Sequence, residues 1–215
     1  MLIELGPSRS FPEPHKLLDL VRDDPRIALL VGADADAALP GIAVPETLDA
    51  ILIELGTECL GVHAGESAGH EGSNILGFSR FCLGCDPPSD LVELVRQRHS
   101  SQAALEAAGA LFTSAGLEVA VCHDFSGRII DRLVRPYFNA ALQKLDEGLA
   151  SAEDLDLTVQ LGLGYKLGPI ALLERSGLAH HCDVSEALFT AYGEAAYAPA
   201  RRARVARARK NRRLG

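Results

Sequence analysis

The chain has 215 residues, enough for one large domain or two small ones. Hydrophobic residues make up 47% of it and charged residues 23%, a composition that excludes general disorder. The formal net charge is −8, but eight of the 21 basic residues lie between Arg201 and Arg213, where there is no acid. The rest of the chain carries 13 basic and 29 acidic side chains, and such an acidic body repels nucleic acid. We therefore expect no nucleic-acid partner.

The N-terminus and the cysteines predict a cytoplasmic location. The first residues lack the basic region, apolar stretch and cleavage site of a signal peptide. No apolar run approaches the roughly 18 residues that span a bilayer, so we expect no membrane association. The five cysteines are odd in number and scattered through core-like sequence, which indicates thiols in a reducing compartment.

Short apolar runs separated by Gly, Pro and Asp occupy the chain before Asp124. Continuous runs of this length are typical of buried strands in a sheet covered on both faces. They cover residues 26–31, 50–53, 74–78, 91–95 and 117–121. A helix is predicted over residues 101–115, with Ser101 as its N-cap, and the order strand, helix, strand predicts a parallel α/β unit. The segment from Gly56 to Ser73 is interpreted as a long loop.

Longer helical periodicities follow Asp124. Apolar residues recur at a spacing of four on two adjacent stripes from Ile129 to Leu145, which predicts a helix with a wide apolar face and a kink at Pro136. Three further helices are predicted over residues 151–162, 169–176 and about 184–192, from boundary signals at Gly148, Ser151, Gly164, Gly168-Pro169 and Gly177. Since wide apolar helix faces often mediate self-association, we predict a homodimer through this helical domain.

Three strings in this second part resemble a known enzyme family. Residues 124–142 read Asp-Phe-Ser-Gly-Arg-Ile-Ile-Asp-Arg-Leu-Val-Arg-Pro-Tyr-Phe-Asn-Ala-Ala-Leu. They are similar to the pattern D-x-P-G-F-I-x-N-R-L, followed by Pro-Tyr and Asn-Glu-Ala, that begins the C-terminal domain of the L-3-hydroxyacyl-CoA dehydrogenases. Residues 147–156 and the string Leu-Gly-Leu-Gly-Tyr-Lys-Leu-Gly-Pro at 161–169 continue the resemblance. Ordered matches over about 75 residues are more specific than one short motif.

The resemblance implies a dinucleotide-binding domain followed by a helical domain. Residues 50–54 and 88–95 resemble the family's Val-Ile-Glu and Leu-Val-Glu segments, and the chain also resembles the degenerate second copy of the module in two-copy members. We predict an α/β followed by all-α fold, with a truncated, degenerate Rossmann-like parallel sheet over residues 1–123. A helical dehydrogenase C-terminal-type domain is predicted over residues 124–200, and a basic tail over residues 201–215, either solvated or docked on the chain itself.

The cofactor signal of the family is missing. A nicotinamide cofactor needs a Gly-rich turn whose backbone amides and helix N-terminus hold the diphosphate. The sequence has no G-x-G-x-x-G, and Val31-Gly-Ala-Asp-Ala-Asp36 offers one glycine with two carboxylates that would repel a diphosphate. We therefore predict no cofactor, with NAD retained only in the alternative of an active enzyme.

The catalytic signal is also incomplete. The family removes the hydroxyl proton with a His oriented by a Glu. Glu93 matches that Glu, but residues 78–88, which correspond to the H-F-F-N-P motif, contain no histidine. Asp131 stands at the Asn of N-R-L, so a hydrogen-bond donor near the substrate carbonyl becomes an anion. By resemblance, the catalytic candidates are Glu93 and Asp131; judged without it, Glu93 would be an exposed carboxylate at the end of a strand.

Three arginines are candidates for substrate binding. Arg128, Arg132 and Arg135 follow one another at spacings of four and three, which predicts that they line the polar side of the long helix. They could contact the phosphates of CoA, with Arg128 and Arg132 as the substrate-binding candidates, or pair with acidic residues of the body.

Other clusters are interpreted as structural, and no metal site is predicted. Cys82 and Cys85 are expected to be structural thiols. A group of loop residues is expected to be solvated rather than to bind a metal: His63, Glu66, His70 and Glu71. A third group is expected to lie between helices as capping or packing residues: His180, His181 and Cys182.

The leading hypothesis is a 3-hydroxyacyl-CoA dehydrogenase-like protein of acyl-CoA metabolism that has lost NAD binding and hydride transfer. In this hypothesis it retains dimerisation and a capacity to bind acyl-CoA. The first alternative is an active 3-hydroxyacyl-CoA dehydrogenase that takes its cofactor site from a partner chain. The second alternative is a purely structural dimeric subunit.

Overall fold

The computed structural model describes residues 1–42, 47–66 and 72–214, and the chain forms two compact units. The first unit comprises Met1–Cys82 and Pro87–Ile129. The second comprises Leu83–Asp86 and the chain from Ile130 onward.

The first unit is built on a six-stranded sheet, with the strands β1 (Leu2–Glu4), β2 (Ile27–Val31), β3 (Ala50–Glu54), β4 (Ile75–Arg80), β5 (Leu91–Arg96) and β6 (Glu118–His123). Their order in the sheet is the order in the chain. The predicted α/β class is confirmed, and the five predicted runs are β2 to β6. The three-residue strand β1 was missed because it is too short for a periodic signal.

The sheet is not purely parallel, because β4 and β5 run antiparallel while every other neighbouring pair is parallel. Residues 81–90, which join β4 to β5, contain no helix, and so short a connection suits an antiparallel pair, because parallel strands need a crossover of about a dozen residues or more. Register fixes the site described below, since Ser79 of β4 stands opposite Glu93 of β5.

Both faces of the sheet are covered by the helices α1 (Lys16–Asp23), α2 (Gly61–Ala64) and α3 (Gln102–Ser114) and a 3-10 turn at Ala35–Gly41. On one face Leu29 and Leu52 pack with Leu17 of α1 and Phe112 of α3. On the other face Leu30 and Ile51 pack with residues of the 3-10 turn and the α2 segment. Alternate residues of β2 and β3 thus enter opposite cores, which explains their continuously apolar sequences.

Two local predictions for this unit have different outcomes. Ser101 is the N-cap of α3, because its side chain accepts a hydrogen bond from the Ala104 amide. The segment from Gly56 to Ser73 is not wholly loop, since it contains the short helix α2. A helix is recognised from apolar residues that recur over two or three turns, and α2, with four residues, is too short to show that periodicity.

The second unit consists of the helices α4 (Ile130–Asp146), α5 (Ala152–Leu163), α6 (Pro169–Ser176), α7 (Leu178–Tyr192) and α8 (Arg201–Leu214) and a 3-10 turn at Ala195–Tyr197. Ser151 caps α5 and Gly164 ends it in the left-handed conformation, as predicted. Gly177 both ends α6 and begins α7, so α7 starts earlier than expected. The predicted position of residues 180–182 between helices is therefore wrong, because they lie in α7.

The basic segment after residue 200 is a helix that docks on its own unit. Ala203 of α8 is fully buried, and α8 packs against α7 and α4. Arg202 donates to Asp146 at 2.8 Å, and Arg207 lies 3.7 Å from Asp183 of α7. None of the described helices is both long and apolar enough to cross a bilayer.

Gly32 is needed where the end of β2 approaches the chain after β1. Its φ is +111°, and a Cβ there would lie 2.0 Å from the Leu5 carbonyl oxygen. Gly32→Ala should therefore lower the free energy of unfolding by about 3 kcal/mol or more. The control Gly109→Ala, inside α3 with open space around the added Cβ, should raise it by about 0.5–1 kcal/mol. Urea unfolding measures both, and equal effects of the two variants would contradict this account of Gly32.

Candidate functional site

Glu93 is a buried carboxylate in the middle of β5, so the interpretation of it as an exposed residue at a strand end is wrong. Its side chain is 2% exposed. Oε1 accepts a hydrogen bond from the Ile129 amide at 2.9 Å, and Oε2 accepts one from Arg128 Nε at 3.4 Å. Ser79 stands directly across the ladder on the same face of the sheet. The hydroxyl of Ser79 cannot accept a proton near neutral pH, whereas the imidazole of a histidine can.

Arg128 is buried in the first unit and precedes α4, so it does not line the polar side of that helix as predicted. Its backbone has a φ of +48°, which is uncommon for a residue with a side chain, and its Nη2 donates to the Gly56 carbonyl at 2.7 Å. Counted along the pattern D-x-P-G-F-I, Arg128 occupies the position of the Phe. A cation thus replaces an apolar side chain beside the Glu that the resemblance assigns to catalysis.

Asp131 of α4 is engaged in a second buried ion pair. Arg135, fully buried, donates from Nε to Asp131 Oδ1 at 2.7 Å. The expectation that Arg135 lies on a polar helix face is therefore wrong. The carboxylate that stands at the family's Asn binds its neighbour one turn along α4.

A hydrogen-bonded chain extends from Arg135 into α7. Asn139 donates from Nδ2 to the Ala196 carbonyl, so its Oδ1 accepts from His181 Nε2 at 2.9 Å. His181 Nδ1 is then the acceptor for Arg135 Nη1 at 3.1 Å. Burial, with the positive charge of Arg135, lowers the pKa of His181 to about 3. This imidazole is neutral at physiological pH and has a structural role.

Arg132 is held by aromatic residues of its own unit. Its guanidinium carbon lies 4.7 Å from the centroid of the Tyr192 ring, and the Tyr197 hydroxyl donates to the Arg132 carbonyl at 3.5 Å. The three arginines that were grouped from their spacing therefore have three different environments. The three arginines therefore do not share one exposed face on which a phosphate could bind.

A cleft of about 290 Å³ opens where β2 and β3 end. The buried Glu54, at the end of β3, lines this cleft. Its carboxylate accepts hydrogen bonds from the Gly32 amide at 2.7 Å and from the Ser10 amide at 2.6 Å. The Ser8 hydroxyl donates to the same carboxylate at 3.0 Å. Backbone amides at the ends of parallel strands are donors that can bind phosphate. The Gly32 amide is such a donor, and it is already paired with the carboxylate of Glu54.

His63 lies between two carboxylates in the same cleft. Its Nε2 lies 3.1 Å from Glu58 Oε1, and its Nδ1 lies 2.9 Å from Asp36 Oδ2. Burial lowers the pKa of His63, but the two carboxylates outweigh it and the net shift is upward. His70 and Glu71 of the proposed loop cluster lie outside the described residues. Over the described ranges, no three His, Cys, Asp or Glu side chains are placed to hold a metal ion.

The cysteines form no disulfide. Cys82 Sγ contacts the Arg9 carbonyl at 3.4 Å, and Cys85 Sγ contacts the Arg175 carbonyl at 3.7 Å. Burial and the nearby charge of Glu93 raise the pKa of Cys122 to about 11, so this thiol is a poor nucleophile.

Two features of the site were not found from sequence. Glu54 had a detectable signal, because a carboxylate directly after the apolar run of β3 must lie at the ligand-binding edge of a parallel sheet. Its donors come from a loop about 44 residues away, as the Ser10 contact does, and no local pattern predicts them. The pairing of Arg128 with Glu93 also had a signal, since Arg128 replaces the pattern's Phe.

The Arg128–Glu93 pair should be structurally essential. Arg128→Met leaves the Glu93 carboxylate buried without its cation, which should lower the free energy of unfolding by about 3 kcal/mol. The double variant Arg128→Met/Glu93→Gln should lose less than the sum of the single variants, with a coupling of about 1 kcal/mol or more. Chemical denaturation of the four proteins gives this coupling. Strictly additive losses would show that the two side chains do not interact.

The His63 cluster should make stability depend on pH. Because the folded-state pKa is raised, the stabilisation is fully present below the unfolded pKa of about 6.5 and is lost as the pH rises through the folded value. The melting temperature of the wild type minus that of His63→Asn should be larger at about pH 6 than at about pH 8.5. His123→Asn, at an exposed histidine, is the control. A constant difference across this range would contradict the cluster's role.

Comparison with known protein families gives a match over the helical unit. Residues 127–215 match the model described as 3-hydroxyacyl-CoA dehydrogenase, C-terminal domain. A 3-hydroxybutyryl-CoA dehydrogenase of Bradyrhizobium diazoefficiens is 31% identical over 113 residues, which cover 53% of this chain and 39% of that protein. The mitochondrial hydroxyacyl-coenzyme A dehydrogenase of Sus scrofa is 38% identical over 92 residues, which cover 43% of this chain and 29% of that protein.

A solved structure matches across both units. The (S)-3-hydroxybutyryl-CoA dehydrogenase from Ralstonia eutropha has a TM-score of 0.73 at 25% identity, covering 86% of this chain and 66% of that one. The chain thus matches well under half the length of the two curated relatives. Residues 127–215 therefore belong to the C-terminal domain family of the 3-hydroxyacyl-CoA dehydrogenases, and the chain as a whole is similar in fold to a solved member of that enzyme class.

Proposed function

We propose that this chain is a dehydrogenase-family protein of acyl-CoA metabolism that has lost NAD binding and hydride transfer and acts as a self-associating protein. Its remaining ligand would be an acyl-CoA ester, a proposal that rests on the names of its relatives. Fold membership alone does not establish chemistry, so the proposal depends on the residues at the site.

The pairing of Glu93 with Arg128 is the observation that carries the proposal. A Glu that orients a catalytic imidazole must present its carboxylate to that ring. In this chain the carboxylate accepts from Arg128 and from the Ile129 amide, and the residue opposite it is Ser79. Within the described part of the chain, no histidine therefore lies beside Glu93 to remove a proton from a substrate hydroxyl, and the Glu93 carboxylate is already paired.

The cleft at the ends of β2 and β3 supports the loss of the cofactor. A dinucleotide needs backbone amides directed at its diphosphate, but the Gly32 amide donates to Glu54. Asp36 and Glu58 add two further carboxylates to the lining, and the cationic Arg9 and the histidine His63 offset this negative charge only in part. The residues present in the cleft do not fit a diphosphate, because a second anion there would be repelled.

Exposed leucines on the helical unit support self-association. Leu133 of α4 is 69% exposed and Leu161 of α5 is 79% exposed. Leu157 and Leu163 of α5 are also at least half exposed. Leu157 and Leu161, four residues apart, share one face of α5, and exposed apolar residues that share a face commonly mark an interface.

Catalysis and ligand binding test the proposal separately. The pure protein should not oxidise NADH with acetoacetyl-CoA, whereas an active member of the family in the same assay should. Acetoacetyl-CoA at 100 times its dissociation constant should stabilise the fold by about 2.7 kcal/mol, measured as a rise in melting temperature. NADH oxidation by the pure protein would overturn the proposal. Activity that appears only on mixing with a second dehydrogenase chain would favour an active enzyme with a shared cofactor site, and the absence of any ligand effect would favour a purely structural subunit.

A further inference from the structure

We propose that the outward face of α8 binds an acidic helix of a different protein, a helix that carries aliphatic side chains between its carboxylates. This inference goes beyond the function proposed above. It does not depend on whether the chain binds NAD, binds an acyl-CoA ester or associates with itself.

The basic side chains of α8 are divided between an anchored side and an exposed side. Arg202 and Arg207 pair with acidic residues of the same unit, and Ala203 is fully buried. Because this inner side is anchored, α8 presents its remaining basic side chains on a docked helix. Those six side chains are all exposed: Arg201, Arg204, Arg209, Lys210, Arg212 and Arg213.

One face of α8 has cations at both ends and aliphatic side chains between them. Residues at positions i, i+3, i+4, i+7 and i+11 share a helix face. On α8 these positions form what is called the α8 face below, and they are Arg201, Arg204, Val205, Ala208 and Arg212. Val205 is 44% exposed. From Arg201 to Arg212 the face is about 17 Å long at 1.5 Å per residue, or about three helical turns.

A groove of about 480 Å³ lies along the first two turns of this face. Four members of the α8 face line it, together with Gln143 of α4 and the aliphatic residues Ala198, Pro199 and Ala200. None of these lining residues is acidic. An aliphatic side chain of a partner can therefore enter a groove whose rim carries two guanidinium groups without a carboxylate.

The positions of Arg201 and Arg204 favour an anionic partner. Both lie in the first turn of α8, where the helix dipole is positive and a cation is unfavourable. They are three residues apart on one face, so they also repel each other. A carboxylate relieves both effects, because a guanidinium group can bind it through two parallel hydrogen bonds. Charge complementarity thus assigns an anion to this end of the groove.

The aliphatic floor favours an acidic protein helix over a nucleic acid or an anionic membrane. A phosphate backbone offers no aliphatic side chain to Pro199 and Val205. The rest of the chain carries 29 acidic against 13 basic residues, which repels a long polyanion or an anionic bilayer. A helix with leucines between glutamates supplies an aliphatic contact and opposite charges over the same three turns.

Fluorescence anisotropy of a labelled peptide tests the proposal. The probe is a synthetic helical peptide of about 14 residues, with leucines in its middle and glutamates toward both ends. Arg201→Glu/Arg204→Glu should raise the dissociation constant of this peptide at least about tenfold, since like charges then face each other. The helix dipole favours acids in the first turn of α8, so the variant should stay folded, which circular dichroism checks.

Matched controls separate the α8 face from general electrostatics. Lys210→Glu/Arg213→Glu makes the same change of charge on another side of α8. It should change the affinity by less than about twofold at physiological salt, where the screening length is about 8 Å. Val205→Ser, and a peptide with serines in place of the leucines, should each weaken binding at least about threefold, because each removes apolar burial.

The outcomes distinguish the proposed partner from other occupants. Absence of saturable binding, or equal binding of the leucine and serine peptides, would overturn the inference. So would binding of a single strand of about 16 nucleotides, or of phosphatidylserine vesicles, in place of the peptide, and α8 would then be assigned to that ligand. A lower sedimentation coefficient for Arg201→Glu/Arg204→Glu than for the wild type would show that a second copy covers the α8 face, which also overturns it.

Discussion

The first unit depends on a buried pair of opposite charges, Arg128 with Glu93. Glu93 lies in the middle of β5, where an unpaired carboxylate would cost several kcal/mol, so a donor must reach it. Arg128 does so from the turn before α4 and also donates to the Gly56 carbonyl, just after β3. The guanidinium of Arg128 therefore contacts both β5 and the chain just after β3. The proposed loss of catalysis rests on the contacts of Glu93, because Arg128 and the Ile129 amide occupy both oxygens of its carboxylate.

Two other positions show the same physical principle. Asp131 binds Arg135 inside the helical unit, and Glu54 binds the Gly32 amide at the edge of the sheet. In each case a group that the family resemblance would direct at a ligand has a partner within the chain. Buried polar groups need partners, and a site that loses its ligand can supply them from its own side chains. The proposed loss of the family's chemistry is in this way compatible with retention of the family fold.

Much of the fold could be predicted from sequence because burial imposes periodic patterns. The apolar runs of β2 to β6, the Ser101 and Ser151 caps and the Gly-Pro start of α6 are local signals, and the structure has each of them. The antiparallel β4–β5 pair has no such signal, since strand direction depends on the whole connection. The site was harder to predict because its partners are distant in the chain. Spacing placed three arginines on one polar face, but tertiary contacts buried Arg128 and Arg135 and stacked Arg132 on Tyr192.

The central claim is that the residues in the cleft at the ends of β2 and β3 exclude a dinucleotide. Fluorescence titration of NADH with the pure protein tests this claim most directly, because binding in a protein cleft changes the emission of the nicotinamide. The account predicts no saturable change up to millimolar NADH, for the wild type and for Arg128→Met alike. A saturable change at micromolar NADH that competes with NAD would contradict it and would require a diphosphate site that the Gly32–Glu54 contact does not block.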